Sequence, residues 1–432
     1  MDGQLRAGTK LGAGKNAYTV KALLGAGGQG EVYRVSDSDG NEHALKWYFP
    51  KMATPEQKAI LEKLVREGSP SSCFLWPEDF IQANGTYGYI MPLRPSNYSS
   101  IVDLVKRRAE PSFLNLCKAA YNLTKGYQQL HTCGFSYRDI SFGNLFLDSN
   151  TGDVLICDND NVSADDSGHF SVYGTPRFMA PEIVRGEAKP SRNTDRYSLA
   201  VLLFYMLMLN HPLEGALEFK IHCMDVQAMN KLYGTNPVFI FDPNDHSNLP
   251  VKGYQDNAHI FWQLYPQYLK DLFIKAFTVG LKDPTKRVTE TEWMDAFANM
   301  ISGIIKCPKC HAEVFYDPEI AEQGKTITCW GCNKSINMPK ALKVKQQITA
   351  MVIGQELFSH QVDHINGNIE DVLGTVVSNP NDATQLGLRN ESTTNWTYIR
   401  SDGSSTLVPP TKTARVAVGN TIDFGNEKGK FC

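Results

Sequence analysis

Three polar residues in the first half of the chain, Asp139, Asn144 and Asp158, restrict the fold more than any other feature. Asn144 lies five positions after Asp139, and Asp158 lies fourteen positions after Asn144, directly behind the apolar segment 154–157. A carboxylate can orient an attacking hydroxyl, and amide and carboxylate oxygens are the ligands that Mg²⁺ shares with nucleotide phosphates. The spacing predicts a phosphoryl-transfer centre, in which Asp139 orients the hydroxyl and Asn144 and Asp158 bind Mg²⁺ (or Mn²⁺).

A glycine-rich loop near the start of the chain offers a place for the phosphates. Residues 25–32 read G-A-G-G-Q-G-E-V, and Gly25, Gly27 and Gly30 allow the backbone to close over an anion. Taken alone, this loop fits a simple glycine hairpin equally well. A dinucleotide-binding loop is disfavoured, because a strand pattern rather than a helix follows it. Lys46, fourteen residues after Val32, ends the next strand and can reach the α- and β-phosphates of a nucleotide.

The chain is strand-rich up to residue 48 and helix-rich from about residue 113 to 305, judged by its apolar periodicity. Residues 55–67 between these regions predict a short helix that Thr54 caps. We expect a glutamate of this helix to hold Lys46. Among the glutamates of the helix, Glu62 lies at the most suitable distance before the next strand.

Further segments match in order along the chain. Residues 174–182 read G-T-P-R-F-M-A-P-E, Asp195 begins an apolar helix, and Arg287 follows an Asp-Pro pair. With these segments, residues 18–305 resemble a eukaryotic-type protein kinase. The segment 174–182 resembles the end of an activation segment, and the resemblance implies that Arg287 pairs with Glu182 and that Asp195 supports the catalytic loop.

The resemblance implies a bilobal fold and a nucleotide pocket. The N-lobe would cover 18–92 and the C-lobe 93–305, behind an N-terminal segment 1–17. Met91 would be the gatekeeper and Leu93 part of the adenine-binding hinge. The residues implied in nucleotide binding are Leu24, Gly25, Gly27, Gly30, Val32, Ala44, Lys46, Met91, Leu93 and Phe146.

The resemblance also implies a role for Arg138, which precedes the catalytic aspartate. In the family such an arginine often meets a phosphate on the activation segment. The candidate phosphorylation sites are Ser163, Ser167, Ser171, Tyr173 and Thr175. For Thr175, a direct contact with Asp139 is an equally good interpretation.

Several positions depart from the kinase pattern. Tyr137 stands where the family usually has histidine, Ser141 where serine/threonine kinases usually have lysine, and Asp158-Asn159-Asp160 where Asp-Phe-Gly is usual. Ser141 removes a cation that normally stabilises the transferred phosphoryl group. We expect an active serine/threonine protein kinase, and the alternative is a catalytically weak or silent ATP-binding scaffold.

Four of the ten cysteines form two C-x-x-C pairs. Cys307 and Cys310 are separated by eighteen residues from Cys329 and Cys332. Four thiolates at this spacing favour a closed, structural zinc site over a redox dithiol or a nucleic-acid ribbon. We therefore expect a small zinc ribbon over 306–337 that needs the metal to fold.

Short apolar runs between turn signals predict an all-β module over 352–432, and we expect the basic residues 338–351 before it to form a linker or an entering strand. Segments around Leu386, Trp396 and 418–425 resemble a forkhead-associated β-sandwich, but no arginine lies convincingly in a phosphate-binding loop. The fold class expected is therefore multidomain α+β: a kinase domain, a zinc ribbon and an all-β sandwich.

This order of domains resembles bacterial kinases of the TerY phosphorylation triad. The resemblance implies signalling in stress or tellurite resistance, with a von Willebrand A-domain protein and a metal-dependent serine/threonine phosphatase as partners. The net charge of −3 gives no indication of nucleic-acid or membrane-surface binding. Without an export signal or a long apolar stretch in the sequence, we expect a cytoplasmic protein.

Overall fold

A computed structural model describes residues 3–164, 174–363 and 367–432. By its internal contacts the chain divides into two compact units. Unit 1 contains residues 1–110, 122–255 and 274–290, and unit 2 contains residues 111–121, 256–273 and 291–432. The expected fold class is confirmed: a strand-rich and a helix-rich part precede the cysteine module and an all-antiparallel β module.

Unit 1 begins with a six-stranded antiparallel sheet in the order β1-β2-β3-β4-β6-β5. Its inward side chains, among them Val20, Val35 and Trp47, are almost completely buried. The strands are β1 Lys10–Leu11, β2 Tyr18–Ala26, β3 Gly30–Ser36, β4 Glu42–Tyr48, β5 Asp79–Ala83 and β6 Thr86–Pro92. Short strands follow in the order β7 Tyr98–Ser100, β8 Phe135–Ser136, β9 Leu145–Asp148, β10 Val154–Ile156 and β11 Ser163–Ala164.

The α-helices lie between residues 55 and 322, most of them between residues 100 and 303. They are α1 Pro55–Glu67, α2 Ile101–Val105, α3 Phe113–Thr132, α4 Pro181–Val184, α5 Arg192–Met208, α6 Ala216–Phe219, α7 Val226–Met229, α8 Asp256–Leu264, α9 Gln267–Phe277, α10 Val279–Lys282, α11 Glu290–Gly303 and α12 Pro318–Glu322. Among the described residues, no helix combines the length and apolar character needed to cross a bilayer.

Helix α1 is defined by its ends and by one apolar face. Thr54 accepts a hydrogen bond from the backbone N–H of Gln57, and Gly68, at φ 75°, ends the helix. Leu61 and Leu64 are buried, one turn apart. The glutamates of the helix therefore lie on its exposed side.

Unit 2 joins helical residues from 111–121, 256–273 and 291–303 to the cysteine module. The rings of Phe113, Tyr265 and Phe315 lie 5.2 to 5.9 Å apart, and Trp330 packs against Phe113 at 5.9 Å. Glu313 also accepts a hydrogen bond from the backbone N–H of Leu114 at 3.1 Å. The module thus shares an aromatic core with residues that the sequence assigns to the kinase C-lobe.

The cysteine module consists of two hairpins, and the sandwich follows it directly. The hairpin strands are β12 Ile304–Lys306, β13 Glu313–Phe315, β14 Thr326–Thr328 and β15 Ser335–Asn337. The sandwich strands are β16 Ala341–Val344, β17 Gln347–Ala350, β18 Glu356–Phe358, β19 Val372–Asn379, β20 Asp382–Asn390, β21 Trp396–Ile399, β22 Ser405–Val408, β23 Thr413–Arg415, β24 Thr421–Asp423 and β25 Lys428–Phe431. They form a six-stranded sheet (β17-β16-β25-β24-β21-β22) and a four-stranded sheet (β18-β19-β20-β23) around one apolar core.

Of the two alternatives for residues 338–351, the structure has the entering strand rather than the linker, because the segment contains β16 and β17. Strand β16 pairs with the last strand, β25, and its Leu342 and Val344 are core residues of the sandwich. Exposed Lys343 and Lys345 alternate with these apolar residues. The basic composition suggested a linker, whereas the period of two is that of a half-buried strand.

A buried ionic network joins helix α3, helix α5 and the start of α11 within unit 1. Nε2 of His131 lies 3.1 Å from Oδ2 of Asp195, and its Nδ1 lies 2.8 Å from Oε1 of Glu290. Arg196 also binds Glu290, at 3.0 Å. Burial lowers the pKa of His131, but its hydrogen bonds and the two carboxylate charges outweigh burial and raise it to about 9. The imidazole is therefore charged at neutral pH.

His131→Gln tests this charge. The folded-state pKa is raised, so the stabilisation is complete below the unfolded pKa of about 6.5 and is lost as the pH rises through about 9. We expect the variant to lose about 3 kcal/mol of unfolding free energy at about pH 6 and much less at about pH 10. Urea unfolding across this range measures the difference. Exposed His222→Gln is the control, and a pH-independent loss in His131→Gln would contradict the interpretation.

Candidate active site

The glycine loop joins β2 to β3 over an open space. A Cβ at Gly25 or Gly27 would meet no atom within 4 Å, whereas a Cβ at Gly30 would lie 2.2 Å from the carbonyl oxygen of Trp47. The N–H of Gly27 donates to the carbonyl of Gly30 at 2.8 Å. Gly30 is therefore required by the close approach of β4, and the first two glycines leave room that phosphates can occupy.

Of the six apolar residues implied in adenine binding, four lie in one apolar cluster. Val32, Ala44, Met91 and Leu93 belong to one apolar cluster, and Ala44 lies opposite Met91 in the β4–β6 register. Leu24, on β2, is 46% exposed. Phe146 lies on β9, and the guanidinium of Arg94 covers its ring at 4.1 Å from the centroid.

Lys46 is almost completely buried, and its ammonium is bound by carboxylates that follow β10. Its Nζ lies 2.8 Å from Oδ2 of Asp160, 3.3 Å from Oδ1 of Asp158 and 3.2 Å from Oε1 of Gln29. Burial alone would lower the pKa of Lys46, but the charges of Asp160 and Asp158 outweigh it and hold the pKa above its ordinary value. Burial raises the pKa of Asp158, and Lys46 offsets this rise only in part.

The structure does not place Glu62 against Lys46, so this prediction is corrected. Glu62 lies on the exposed side of α1, where its Oε1 is 3.8 Å from Nζ of Lys58. The inward face of α1 presents Leu61, one residue earlier, in the cluster beside Ala44. Distance along the sequence suggested Glu62, but the phase of the helix decides which side chain faces the cleft.

Asp139 is held from two sides in the catalytic loop. Oγ1 of Thr175 donates to its Oδ1 at 2.8 Å, and Nδ2 of Asn144 lies 3.4 Å from its Oδ2. The backbone N–H groups of Tyr137 and Arg138 donate to Asp195 at 2.6 and 2.9 Å. The expected support of the loop by Asp195 is therefore seen directly.

Asn144 and Asp158 present oxygens from neighbouring backbone. Nδ2 of Asn144 donates to the carbonyl of Asp139 at 2.9 Å, which leaves its Oδ1 available as a ligand. The N–H of Cys157 donates to the carbonyl of Asn144 at 3.0 Å, and Asp158 follows in the left-handed conformation at φ 54°. One amide and one carboxylate oxygen fit the preference of Mg²⁺ for a few protein oxygens together with phosphates.

The family model of the protein kinase domain matches residues 18–297. The chain belongs to the protein kinase family. The bidentate pair between Arg287 and Glu182, with N–O distances of 2.8 and 2.7 Å, agrees with the expectation for this kinase.

Curated relatives match just under half of this chain. The chain is 26% identical over 204 residues to a probable serine/threonine-protein kinase, CCRP1, of Zea mays, covering 46% of this chain and 32% of the relative. It is 29% identical over 207 residues to the DNA damage-responsive serine/threonine-protein kinase RqkA of Deinococcus radiodurans, covering 46% and 30%. It is 28% identical over 203 residues to the serine/threonine-protein kinase SCH9 of Saccharomyces cerevisiae, covering 45% and 24%. The chain thus spans a third or less of the length of these relatives.

The unusual residues of this kinase are buried beneath the site. Nδ2 of Asn159 donates to the carbonyls of Leu75 and Ile156 at 2.8 and 3.0 Å, so hydrogen bonds replace aromatic packing. The hydroxyl of Tyr137 donates to the carbonyl of Cys157. Ser141 is buried as well. The hydrogen bonds of Asn159 and Tyr137 therefore hold the segment 157–159 in place.

Two of the five candidate phosphorylation sites lie among the described residues. Ser163 is buried on β11, and Thr175 donates to Asp139. Ser167, Ser171 and Tyr173 lie outside the described residues. Nη2 of Arg138 donates to the carbonyl of Ala164 at 3.1 Å, which places the guanidinium beside the start of the activation segment.

Besides Gln29, sequence reasoning missed three residues around Lys46. Asp160 binds the ammonium, Tyr48 donates its hydroxyl to Asp160, and Nε2 of Gln57 donates to the backbone carbonyl of Asp160 at 2.8 Å. The available signal was the carboxylate in place of glycine in the triplet 158–160. A buried lysine needs a nearby carboxylate. Asp160 lies only two residues after Asp158, which the sequence had already assigned to the site, and it was therefore the obvious candidate.

The four paired cysteines come together in unit 2. Their Sγ atoms all lie within 4.8 Å of one another, with 3.7 Å between Cys307 and Cys332 and 3.5 Å between Cys310 and Cys329. Zinc–sulfur bonds of about 2.3 Å give tetrahedral sulfur–sulfur edges of about 3.8 Å. Backbone N–H groups of Cys310 and Lys309 lower the pKa of Cys307. The backbone N–H of Ala312 lowers the pKa of Cys310, but burial and hydrogen bonds with the other three cysteines outweigh it and raise that pKa. The cluster can hold a tetrahedral metal ion.

Proposed function

We propose that this kinase transfers the γ-phosphoryl group of Mg-ATP to a serine or threonine hydroxyl of a protein. The convergence of Lys46, Asp158, Asn144 and Asp139 carries the proposal. Lys46 contacts Asp158, the preceding Cys157 hydrogen-bonds Asn144, and Asn144 hydrogen-bonds Asp139. These groups line one path from the phosphate loop to the acceptor hydroxyl.

Each group has a distinct role in the transfer. Lys46 would bind the α- and β-phosphates, and Oδ1 of Asn144 and the carboxylate of Asp158 would hold Mg²⁺, whose charge would offset that of the phosphate oxygens. Asp139 accepts a hydrogen bond from the acceptor hydroxyl and orients it for in-line attack. Thr175, which donates to Oδ1 of Asp139, keeps that carboxylate oriented. Ser141 supplies no cation for the transferred group, so we expect a low turnover number.

The alternative is a catalytically silent, ATP-binding scaffold, and Ser141 is the observation that favours it. Phosphoryl transfer depends on positive charge around the phosphoryl oxygens more than on covalent help from the protein. Nucleotide binding uses Lys46 and the glycine loop and does not need a cation at position 141. A scaffold would therefore bind Mg-ATP and transfer nothing.

Asp139→Asn separates the two functions. We expect transfer of radiolabelled phosphate to serine or threonine to fall about 10²- to 10⁴-fold, because the amide cannot accept the proton of the hydroxyl. Binding of Mg-ATP, measured by calorimetry, should change little, and exposed Asp39→Asn is the control. A wild-type protein that binds Mg-ATP without phosphorylating itself or added proteins would favour the scaffold.

We further propose that the cysteine cluster holds a structural Zn²⁺. The sulfur distances are those of a tetrahedral site, and all four ligands are cysteines. The four hairpin strands around it are only three residues long each. A metal ion at their centre would add stability that such short strands lack on their own.

Cys307→Ser tests the zinc proposal. We expect about one zinc per chain in the wild-type protein and a clear loss in the variant, because a serine hydroxyl is a poor zinc ligand. Metal analysis of the full-length protein, purified without chelators, gives the count. Exposed Cys133→Ser should keep the full count. Wild-type protein without zinc would contradict the proposal.

The partners are proposed from the order of the domains. A phosphatase and a von Willebrand A-domain protein, acting in stress or tellurite-resistance signalling, fit the resemblance to TerY-associated kinases. The sandwich suits protein contacts better than phosphothreonine, because Arg389 binds Glu391 and Arg400 binds Ser404 and Thr406. The third candidate, Arg415, lies on strand β23 rather than in a loop.

A phosphopeptide array tests the role of the sandwich. We expect no phosphate-dependent binder, because Arg389 and Arg400 already have partners within the module and Arg415 lies on strand β23 rather than in a loop. Each peptide should be compared with its unphosphorylated form. A peptide that binds only when phosphorylated would contradict the expectation and restore the forkhead-associated function.

A further inference from the structure

Helix α1 offers no carboxylate to the phosphate-binding lysine. Its glutamates at positions 56, 62 and 67 are all exposed. The inward side chains are Gln57, Leu61 and Leu64, whose spacing of four and three residues defines one helical face. Bringing Glu62 to Lys46 would require a rotation of about 100°, which would expose Leu61 and Leu64 to water.

Asp160 supplies the missing carboxylate from the opposite side of the cleft. Its side chain is 0% exposed, and its Oδ2 binds Nζ of Lys46 at 2.8 Å and the hydroxyl of Tyr48. A buried ammonium is stable only with a close counter-charge. Asp158 also contacts Lys46, at the longer distance of 3.3 Å. Because Asp158 is the proposed metal ligand, Asp160 is the carboxylate left to hold the lysine.

We propose that Asp160 replaces the helix glutamate of other kinases as the residue that positions Lys46 for the phosphates. This inference rests on the proposed kinase function and concerns the same site. Asp160 is a positioning residue, because it acts on the nucleotide through Lys46. It places the control of Lys46 in the segment 158–160, while α1 takes part through the hydrogen bond from Gln57 to the backbone of Asp160.

A double-mutant cycle on nucleotide binding tests the proposal. Mg-ATP affinity is measured by calorimetry for the wild type, Asp160→Asn, Lys46→Met and the double variant. We expect Asp160→Asn to weaken binding at least about tenfold in the wild-type background and less than about twofold in Lys46→Met, because the partner is then absent. Unchanged affinity in Asp160→Asn, or an equal loss in both backgrounds, would overturn the proposal.

A second test moves the carboxylate from position 160 to position 57, so that the conclusion does not rest on a single variant. Asp160→Gly restores the glycine usual at this position, and Gln57→Glu adds a carboxylate to the inward face of α1. We expect Asp160→Gly to lose affinity for Mg-ATP and the double variant to recover at least part of it. If the double variant is as stable as Asp160→Gly but binds Mg-ATP no more tightly, the two positions are not equivalent and the proposal is overturned.

The kinetic constants separate this inference from the proposed function. If the protein is an active kinase, Asp160→Asn should raise the KM for ATP and lower kcat, while the KM for the protein substrate stays within about twofold. Asp39→Asn should match the wild type in all three constants. If the wild type transfers no phosphate, the proposed function fails, and the binding cycle still decides whether Asp160 positions Lys46.

Discussion

The carboxylate of Asp195, buried at the start of α5, is the point on which the catalytic loop depends. It accepts hydrogen bonds from two successive backbone N–H groups, those of Tyr137 and Arg138. These bonds hold Arg138 at φ 75°, a conformation that is uncommon for a residue with a side chain. His131, charged because Asp195 and Glu290 surround it, balances the buried negative charge. Asp139 owes its position to this network.

A second level of organisation lies in the triplet 158–160, whose three members act separately. Asp158 faces the cleft, Asn159 binds backbone carbonyls below it, and Asp160 holds the lysine. In the usual Asp-Phe-Gly triplet, only the first residue carries a charge. Polar bonds from the second and third residues tie this segment to β4, α1 and the 74–76 stretch. The lysine and the metal ligand therefore depend on one short segment rather than on two separate elements.

The sequence predicted the fold class because several short patterns occur in a fixed order, and each pattern is local. The spacing of Asp139, Asn144 and Asp158, and the pairing of Glu182 with Arg287, could be predicted without coordinates. Glu62 could not be assigned correctly, because the choice between neighbouring helix positions depends on which face is buried. The role of Asp160 joins residues 114 positions apart in the chain, and no local pattern contains that contact. For residues 338–351 the sequence left a linker and an entering strand open, because basic residues mark linkers and exposed strand faces alike.

The aromatic core of unit 2 bears on how this enzyme can be divided for study or by evolution. Phe113 and Tyr265 lie within the segment that matches the kinase family, yet they pack against Phe315, beyond its end. A fragment that stops at residue 305 would leave these rings in water and lose the bond from Leu114 to Glu313. The segment that matches the kinase family therefore cannot be exchanged as an independent unit. Recombination that exchanged the cysteine module for another domain would have to preserve this aromatic contact or replace it.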